Sequence, residues 1–217
     1  MMPFRVQGRA LLFDLDGVLA DSIPAVEAAW ERWAAQHSID AGLAAAAILG
    51  RRAIDVVALL APQLDPEREA ATVEALEDQE LHRIHPIPGA PEFVARLPRS
   101  TWAVVTSGSR RIATSRLAQI GIADPPVLIT AEDVERGKPD PEVYRCAAAV
   151  LGVPAAECIV FEDSAAGIAA GKSAGCRVVA IVARGEAPPF VDGAIRDYRT
   201  LRIERAGEER SFVVTNA

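Results

Sequence analysis

The chain has 217 residues, half of them hydrophobic and only 5% aromatic, which suits one domain or a core with an insertion, packed mainly with Ala, Val, Ile and Leu. A formal charge of −7 and the lack of a basic stripe argue against nucleic acid and anionic membranes as partners, so an anionic substrate must be drawn by a local site. No apolar run approaches the ~20 residues of a membrane span, and the N-terminal MMPFRVQGRA is too short and polar for a targeting segment. Cys146, Cys158 and Cys176 form no CxxC pair, so small buried thiols in a reducing cytoplasm are expected.

Arg9–Phe13 reads as a strand running into LLFDLDGVLADS, Leu11–Ser22. Side chains two apart in an extended chain point the same way, so Asp14 and Asp16 should sit together at a strand mouth, with the Leu15 carbonyl between them. Such a hard-oxygen cluster suits Mg²⁺, although Asp and Gly are also ordinary turn residues. Ser22 can cap the next helix, in which Val26, Ala29, Trp30, Trp33 and Ala34 share a face and the two Trp read as packing residues. Ala41–Leu49, Ile54–Leu60 and a long, exposed, charged Pro66–Ile84 are further helices. Pro86–Gly89 ends this all-helical stretch. Strands Trp102–Val105, Val127–Ile129, Cys158–Phe161 and Arg177–Ala183 then alternate with helices ending at Ile120, before Gly152 and at Ala174. Leu201–Arg205 and Ser211–Thr215, joined through Ala206-Gly207, read as a hairpin.

Strands alternating with helices imply an α/β fold, a Rossmann-like doubly wound parallel sheet with an inserted all-α cap. Residues 1–17 plus 88–217 would form the core and 18–87 the cap. Ligands bind such sheets at the carboxyl ends of the strands. There the chain places Asp14 and Asp16, then Thr106, Ser107 and Gly108 before a helix, then Lys138 between Gly137 and Pro139, then Glu162 and Asp163. A hydroxyl with free amides at a helix start makes an anion cradle. Each junction alone reads as a cap, a turn or a solvated lysine. Together they place complementary phosphate chemistry on one rim.

In order, DLDGVLADS, VVTSGS, GKPDPEVY and FEDSAAGIAAGKSAG resemble the four motifs of the haloacid dehalogenase superfamily of phosphohydrolases, over nearly the whole chain. The insertion lies between the first two motifs, as in the helical-cap subgroup. DSIPAVEAAW, LGRRA, VVTSGS and RGKPDPE are similar to bacterial sugar phosphatases and fungal 2-deoxyglucose-6-phosphate and glycerol-3-phosphate phosphatases. The resemblance implies an Mg²⁺-dependent phosphatase acting on small phosphate monoesters through an aspartyl-phosphate. It implies Asp14 as nucleophile and Asp16 as general acid and then base. Thr106, Ser107 and Gly108 would hold the phosphoryl oxygens, with the closer hydroxyl left open, and Lys138 would neutralise nucleophile and phosphoryl group. Asp14, Asp163 and the carbonyl of Asp16 would hold the metal, and Glu162 a metal-bound water. In the cap, Gly50 and Arg51 would reach the substrate. Gly17–Ala20 and Pro86–Gly89 would be hinges, and His37, His82 and His85 surface residues. The expected protein is a cytoplasmic monomer or weak dimer.

The rivals are a sugar phosphomutase of the β-phosphoglucomutase type, a phosphoglycolate-type phosphatase and a non-enzymatic phospho-acceptor or binding protein. Such mutases usually carry a His where this chain has Val26, which favours hydrolysis. Dehalogenases of the superfamily do not keep the second Asp, and phospho-acceptor receivers lack the insertion and the DxD spacing.

Overall fold

The structure, a computed structural model, describes residues 2–182, 187–205 and 211–216. Its elements are β1 (Arg5–Gly8), β2 (Ala10–Phe13), β3 (Ala20–Asp21), α1 (Ile23–Gln36), α2 (Ala41–Ile48), α3 (Ala53–Leu60), α4 (Pro66–Gln79), β4 (His85–Pro86) and α5 (Ala90–Ala95). They continue as β5 (Trp102–Val105), α6 (Arg110–Gln119), β6 (Leu128–Ile129), α7 (Glu142–Leu151), β7 (Cys158–Glu162), α8 (Ala165–Ser173), β8 (Arg177–Ile181), β9 (Gly193–Ile195), β10 (Leu201–Arg205) and β11 (Phe212–Asn216).

Strands β6–β5–β2–β7–β8–β9 form a parallel sheet in that order. Both faces are covered, so its strands are apolar throughout instead of alternating. Leu11 and Phe13 of β2 face one way, into a cluster with Phe93, Trp102, Val104, Phe161 and Tyr198. Ala10 and Leu12 face the other way, onto Tyr144 and Ala147 of α7 and Ala170 of α8. Strands β5 and β6 lie on one side of β2 and β7, β8 and β9 on the other, which puts the switch of strand order at β2. A crevice therefore opens where β2, β5 and β7 end, directly before Asp14, Thr106 and Asp163.

Helices α1–α4 pack around their own buried cluster of Trp30, Trp33, Ala44, Ile48, Val56, Val57, Val73 and Leu76. The Trp30 and Trp33 rings meet edge-to-face at 5.3 Å, the packing role expected of them. The chain enters and leaves this helical body through a two-stranded ribbon, with Ala20 opposite Pro86 and Asp21 opposite His85. Leu19, Ala20, Ile84 and Ile87 at its ends are buried in the core of the sheet.

Some expectations need correction. The expected helix Pro66–Ile84 stops at Gln79 and a separate 3₁₀ turn spans Leu81–Arg83; Val73, Leu76 and Glu77 are buried, because α4 covers the other cap helices. His82 and His85 are exposed, whereas His37 packs beside the Trp33 ring and shares a 3.0 Å hydrogen bond with Glu69. The first sheet strand begins at Ala10, and Arg5–Gly8 before it pairs antiparallel with β11. The tail hairpin is present as β10 and β11, while its Ala206-Gly207 join and the expected strand end Ala183 lie outside the described residues. Cys158 and Cys176 are buried and Cys146 partly so, all three as free thiols.

Candidate active site

Asp14 follows β2, and its amide bonds the Phe161 carbonyl on β7 at 3.0 Å. This holds the start of the acidic turn against the neighbouring strand. Its carboxylate is buried, and Oδ1 accepts from Lys138 Nζ at 2.5 Å. Lys138 also donates to Glu162 Oε1 at 2.6 Å and has Tyr144 beneath it, 5.2 Å from the ring centre. A lysine buried to 3% exposure needs such partners, since an isolated buried ammonium is costly. Lys138 is thus a fixed cation held under Asp14 and not a solvated surface lysine.

Glu162 is wholly buried and both its oxygens are engaged. Oε1 also accepts from the Tyr144 hydroxyl at 2.8 Å, while Oε2 accepts from the amides of Asp163 and Ser164 at 2.9 Å and from Ser164 Oγ at 3.0 Å. Burial alone would raise its pKa, but Lys138, with the Ser164 amide and the Tyr144 hydroxyl, outweighs that and holds it below the usual range. Asp14 lacks those extra donors. Burial first, then Glu162 and Asp16 as neighbouring acids, push it up to about 7 against the opposing pull of Lys138. Asp163 rises to about 8, by burial and then by the charges of Asp14 and Glu162.

Ligand atoms of Asp14, Glu162 and Asp163 lie within 4.8 Å of one another. Gly17 brings the backbone of the first motif against Asp163: its φ is +78°, and a Cβ there would collide with the Asp163 carboxylate. These carboxylates crowd around a single lysine, and burial first, then their mutual charge, raises Asp14 and Asp163 well above the usual carboxylate range. An all-oxygen donor set short of positive charge fits a hard divalent cation. The saturated hydrogen bonds of Glu162 differ from the expectation that it holds a metal-bound water, and leave Asp14 and Asp163 as the carboxylates with free lone pairs.

The structure also separates the two hydroxyls after β5. Thr106 is 1% exposed and its Oγ1 accepts the Gly108 amide at 3.0 Å, so it braces its own loop. Ser107 is half-buried and its Oγ donates to the Gly50 carbonyl at 2.8 Å. Ser107 is the hydroxyl at the boundary between sheet and cap. Ser109, next along, accepts the Ile112 amide and caps α6.

Above these groups lies a cavity of about 500 Å³, walled by the sheet edge on one side and by α1–α4 on the other. Gly50 sits at φ +73° against Ser164, where a Cβ would strike the Ser164 hydroxyl. Arg51 lines the cavity and is exposed. Arg52 does something else: it pairs with Asp55 at 2.7 Å and donates to the Glu135 carbonyl at 3.0 Å, docking the cap on the loop that carries Lys138.

A family model described as a haloacid dehalogenase-like hydrolase matches residues 9–175. The chain belongs to this family. Hexitol phosphatase A of Escherichia coli is 40% identical over 185 residues, covering 83% of this chain and 86% of that one. Glycerol-1-phosphate phosphohydrolase 2 of Saccharomyces cerevisiae is 36% identical over 191 residues, covering 82% and 76%. The crystal structure of a β-phosphoglucomutase from Clostridium difficile superposes with a TM-score of 0.71 at 23% identity, covering 80% and 84%, a likeness of fold.

In this hydrolase, Arg116, Glu77 and Ser22 make a network on Asp16 that sequence reasoning missed. Arg116, in the last turn of α6, donates from Nη1 to Asp16 Oδ1 at 2.6 Å and from Nη2 to Glu77 Oε2 of α4 at 2.7 Å. Ser22 Oγ bonds the same Asp16 oxygen at 2.5 Å, so the residue expected to cap α1 turns its hydroxyl to the site instead. Burial, only partly offset by Arg116, raises Glu77 to about 7. One signal was available: an Arg and a Glu each fall among the apolar positions of their helices. Nothing in the sequence said they would meet.

Proposed function

We propose that this hydrolase cleaves small phosphate monoesters, sugar or polyol phosphates, in two displacements at Asp14 with Mg²⁺ as its metal. The observation that carries the reading is the buried Lys138, fixed by Glu162 and bonded to one oxygen of an Asp14 carboxylate that lines the cavity. Residues 18–87 act as a lid over this centre, and Gly17–Ala20 and Pro86–Gly89 carry its movement.

In the first displacement an Asp14 oxygen forms a bond to phosphorus and the bond from phosphorus to the leaving alcohol oxygen breaks. Asp16 gives that oxygen its proton. Ser107 Oγ, released from the Gly50 carbonyl, and the amides of Ser107 and Gly108 hold the equatorial oxygens, whose charge Lys138 balances. In the second displacement Asp16 takes a proton from water, the water oxygen bonds phosphorus, and the bond to Asp14 breaks, releasing inorganic phosphate. Asp14 and Asp163, with the carbonyl of Asp16, would hold Mg²⁺. Bound there, it offsets the negative charge that gathers between carboxylates and phosphoryl group. Glu162 keeps Lys138 charged and in place.

Val26 lines the cavity, and no histidine does among the described residues, which supports hydrolysis over phosphoryl transfer between sugar positions. The test is phosphate release, with Mg²⁺, from hexitol phosphates, glycerol phosphate and 2-deoxyglucose 6-phosphate, with Asp14→Asn as the inactive control. Release from none of them by the unaltered protein would sink the reading. Glucose 6-phosphate formed from glucose 1-phosphate would point to the mutase.

A further inference from the structure

We propose that Arg116 and Glu77 form a clasp that sets the carboxylate of Asp16 when the helical cap lies against the sheet domain. They would be positioning residues for proton transfer to the leaving group. The proposal rests on the phosphatase reading above.

Arg116 is 4% exposed and its two terminal nitrogens have partners from different bodies, Asp16 from the sheet domain and Glu77 from the cap. Its Nε is buried and has no partner among the described residues, where Asp16 and Glu77 are the two groups that hold the guanidinium. A buried charge stripped of one partner is strongly disfavoured. The arrangement is therefore stable only while α4 covers α6, and lifting α4 takes Glu77 away from Arg116.

The consequence falls on one oxygen. Asp16 Oδ1 accepts from Arg116 and from Ser22, and Ser22 lies where the chain enters the first cap helix. With both donors on Oδ1, the carboxylate plane is held, and Oδ2 accepts no hydrogen bond among the described residues. When Glu77 departs, the guanidinium keeps one anchor and recovers rotamer freedom, and Asp16 loses its fixed neighbour. Closure of the cap and orientation of the proton-transfer group become one event.

A second arginine on α6 shows why Arg116 stands apart. Arg111 also reaches α4, through Glu74 at 3.0 Å and Asp78 at 2.5 Å, but its side chain is half exposed. Exposed pairs of this kind hold surfaces together weakly, and Arg111 touches no group of the proposed chemistry.

A staple and a positioning device predict different kinetics. An alcohol leaving group needs a proton, whereas 4-nitrophenolate leaves without one. The value of kcat/KM reports steps through departure of the leaving group, so the later hydrolysis of the phospho-aspartate does not obscure it. Glu77→Gln keeps shape and removes charge; Arg116→Lys keeps charge and removes the fork. For each, kcat/KM on the alkyl phosphate ester is expected to fall roughly 10- to 100-fold, and on 4-nitrophenyl phosphate by roughly threefold or less. Hydrogen exchange of the amides in α4 and α6 should rise in Glu77→Gln, a readout independent of turnover. Equal losses on the two esters, no loss on either, or unchanged exchange would each overturn the clasp. If the unaltered protein hydrolyses neither ester, the phosphatase reading falls instead, and the exchange measurement alone decides whether Glu77 holds the cap.

Discussion

Lys138 shows how much one residue can organise. Its ammonium is the buried cation between Asp14 and Glu162, and it rests on Tyr144. Replacing it with Ala would leave two buried carboxylates facing each other with no countercharge. Removing one partner of a buried ion pair costs about 3–5 kcal/mol. Lys138→Ala is therefore expected to lose turnover and a comparable amount of stability in urea unfolding, and a variant as stable as the parent would contradict this account. The sequence pointed to this lysine through its place between Gly137 and Pro139, but not to its burial. It also treated Thr106 and Ser107 as equals. They differ because successive side chains leave a strand on opposite sides, and only contacts from outside the strand show which side faces the cap.

At the scale of elements, the carboxyl ends of β2, β5 and β7 assemble the site, and the loop after α2 closes it. Strand positions were legible because apolar runs bounded by Gly, Pro and polar turns are a strong local signal. Helix α4 was legible as a helix but not as a half-buried one, since its buried Glu77 reads as one more charge on a charged helix. The short β9 and α5 left no periodic signal of their own. Gly50, at the end of α2, tests the loop. A side chain there would sit at positive φ and strike Ser164. Strain of this type is worth about 1–3 kcal/mol, so Gly50→Ala should shift the cap toward opening. The expected result is a raised KM for the polyol ester; a KM equal to that of the parent would show that the loop seats elsewhere.

For the whole molecule, the balance of charge at the centre sets the response to pH and metal. Asp14 is raised from 3.8 to about 7 and Asp163 from 3.8 to about 8, chiefly by burial. Groups with raised folded-state values bind protons more tightly in the folded than in the unfolded chain. Their contribution is complete below about pH 4 and is lost as pH rises through about 7 to 8. The metal-free protein should therefore lose stability across that window. Mg²⁺ competes with those protons, so the gain in Tm on replacing EDTA with Mg²⁺ should grow between about pH 6 and about pH 8. Thermal melts in the two buffers read this directly, and a gain that stays flat with pH would argue against a metal held by these acids. Asp163→Asn should reduce the gain at every pH.

From the sequence alone came the parallel α/β plan, the helical insertion, the family and the acids, hydroxyls and lysine of the rim. These follow from signals that are local in the chain: apolar runs, turn residues and short motifs whose spacing places their side chains. Tertiary structure alone decided that Glu162 serves Lys138, that Ser107 meets the cap loop, and that Arg116 links Asp16 to Glu77 across two bodies. Those are pairings between residues up to 100 positions apart. Their partners depend on how the helices of the cap settle on the sheet, and no local pattern encodes that.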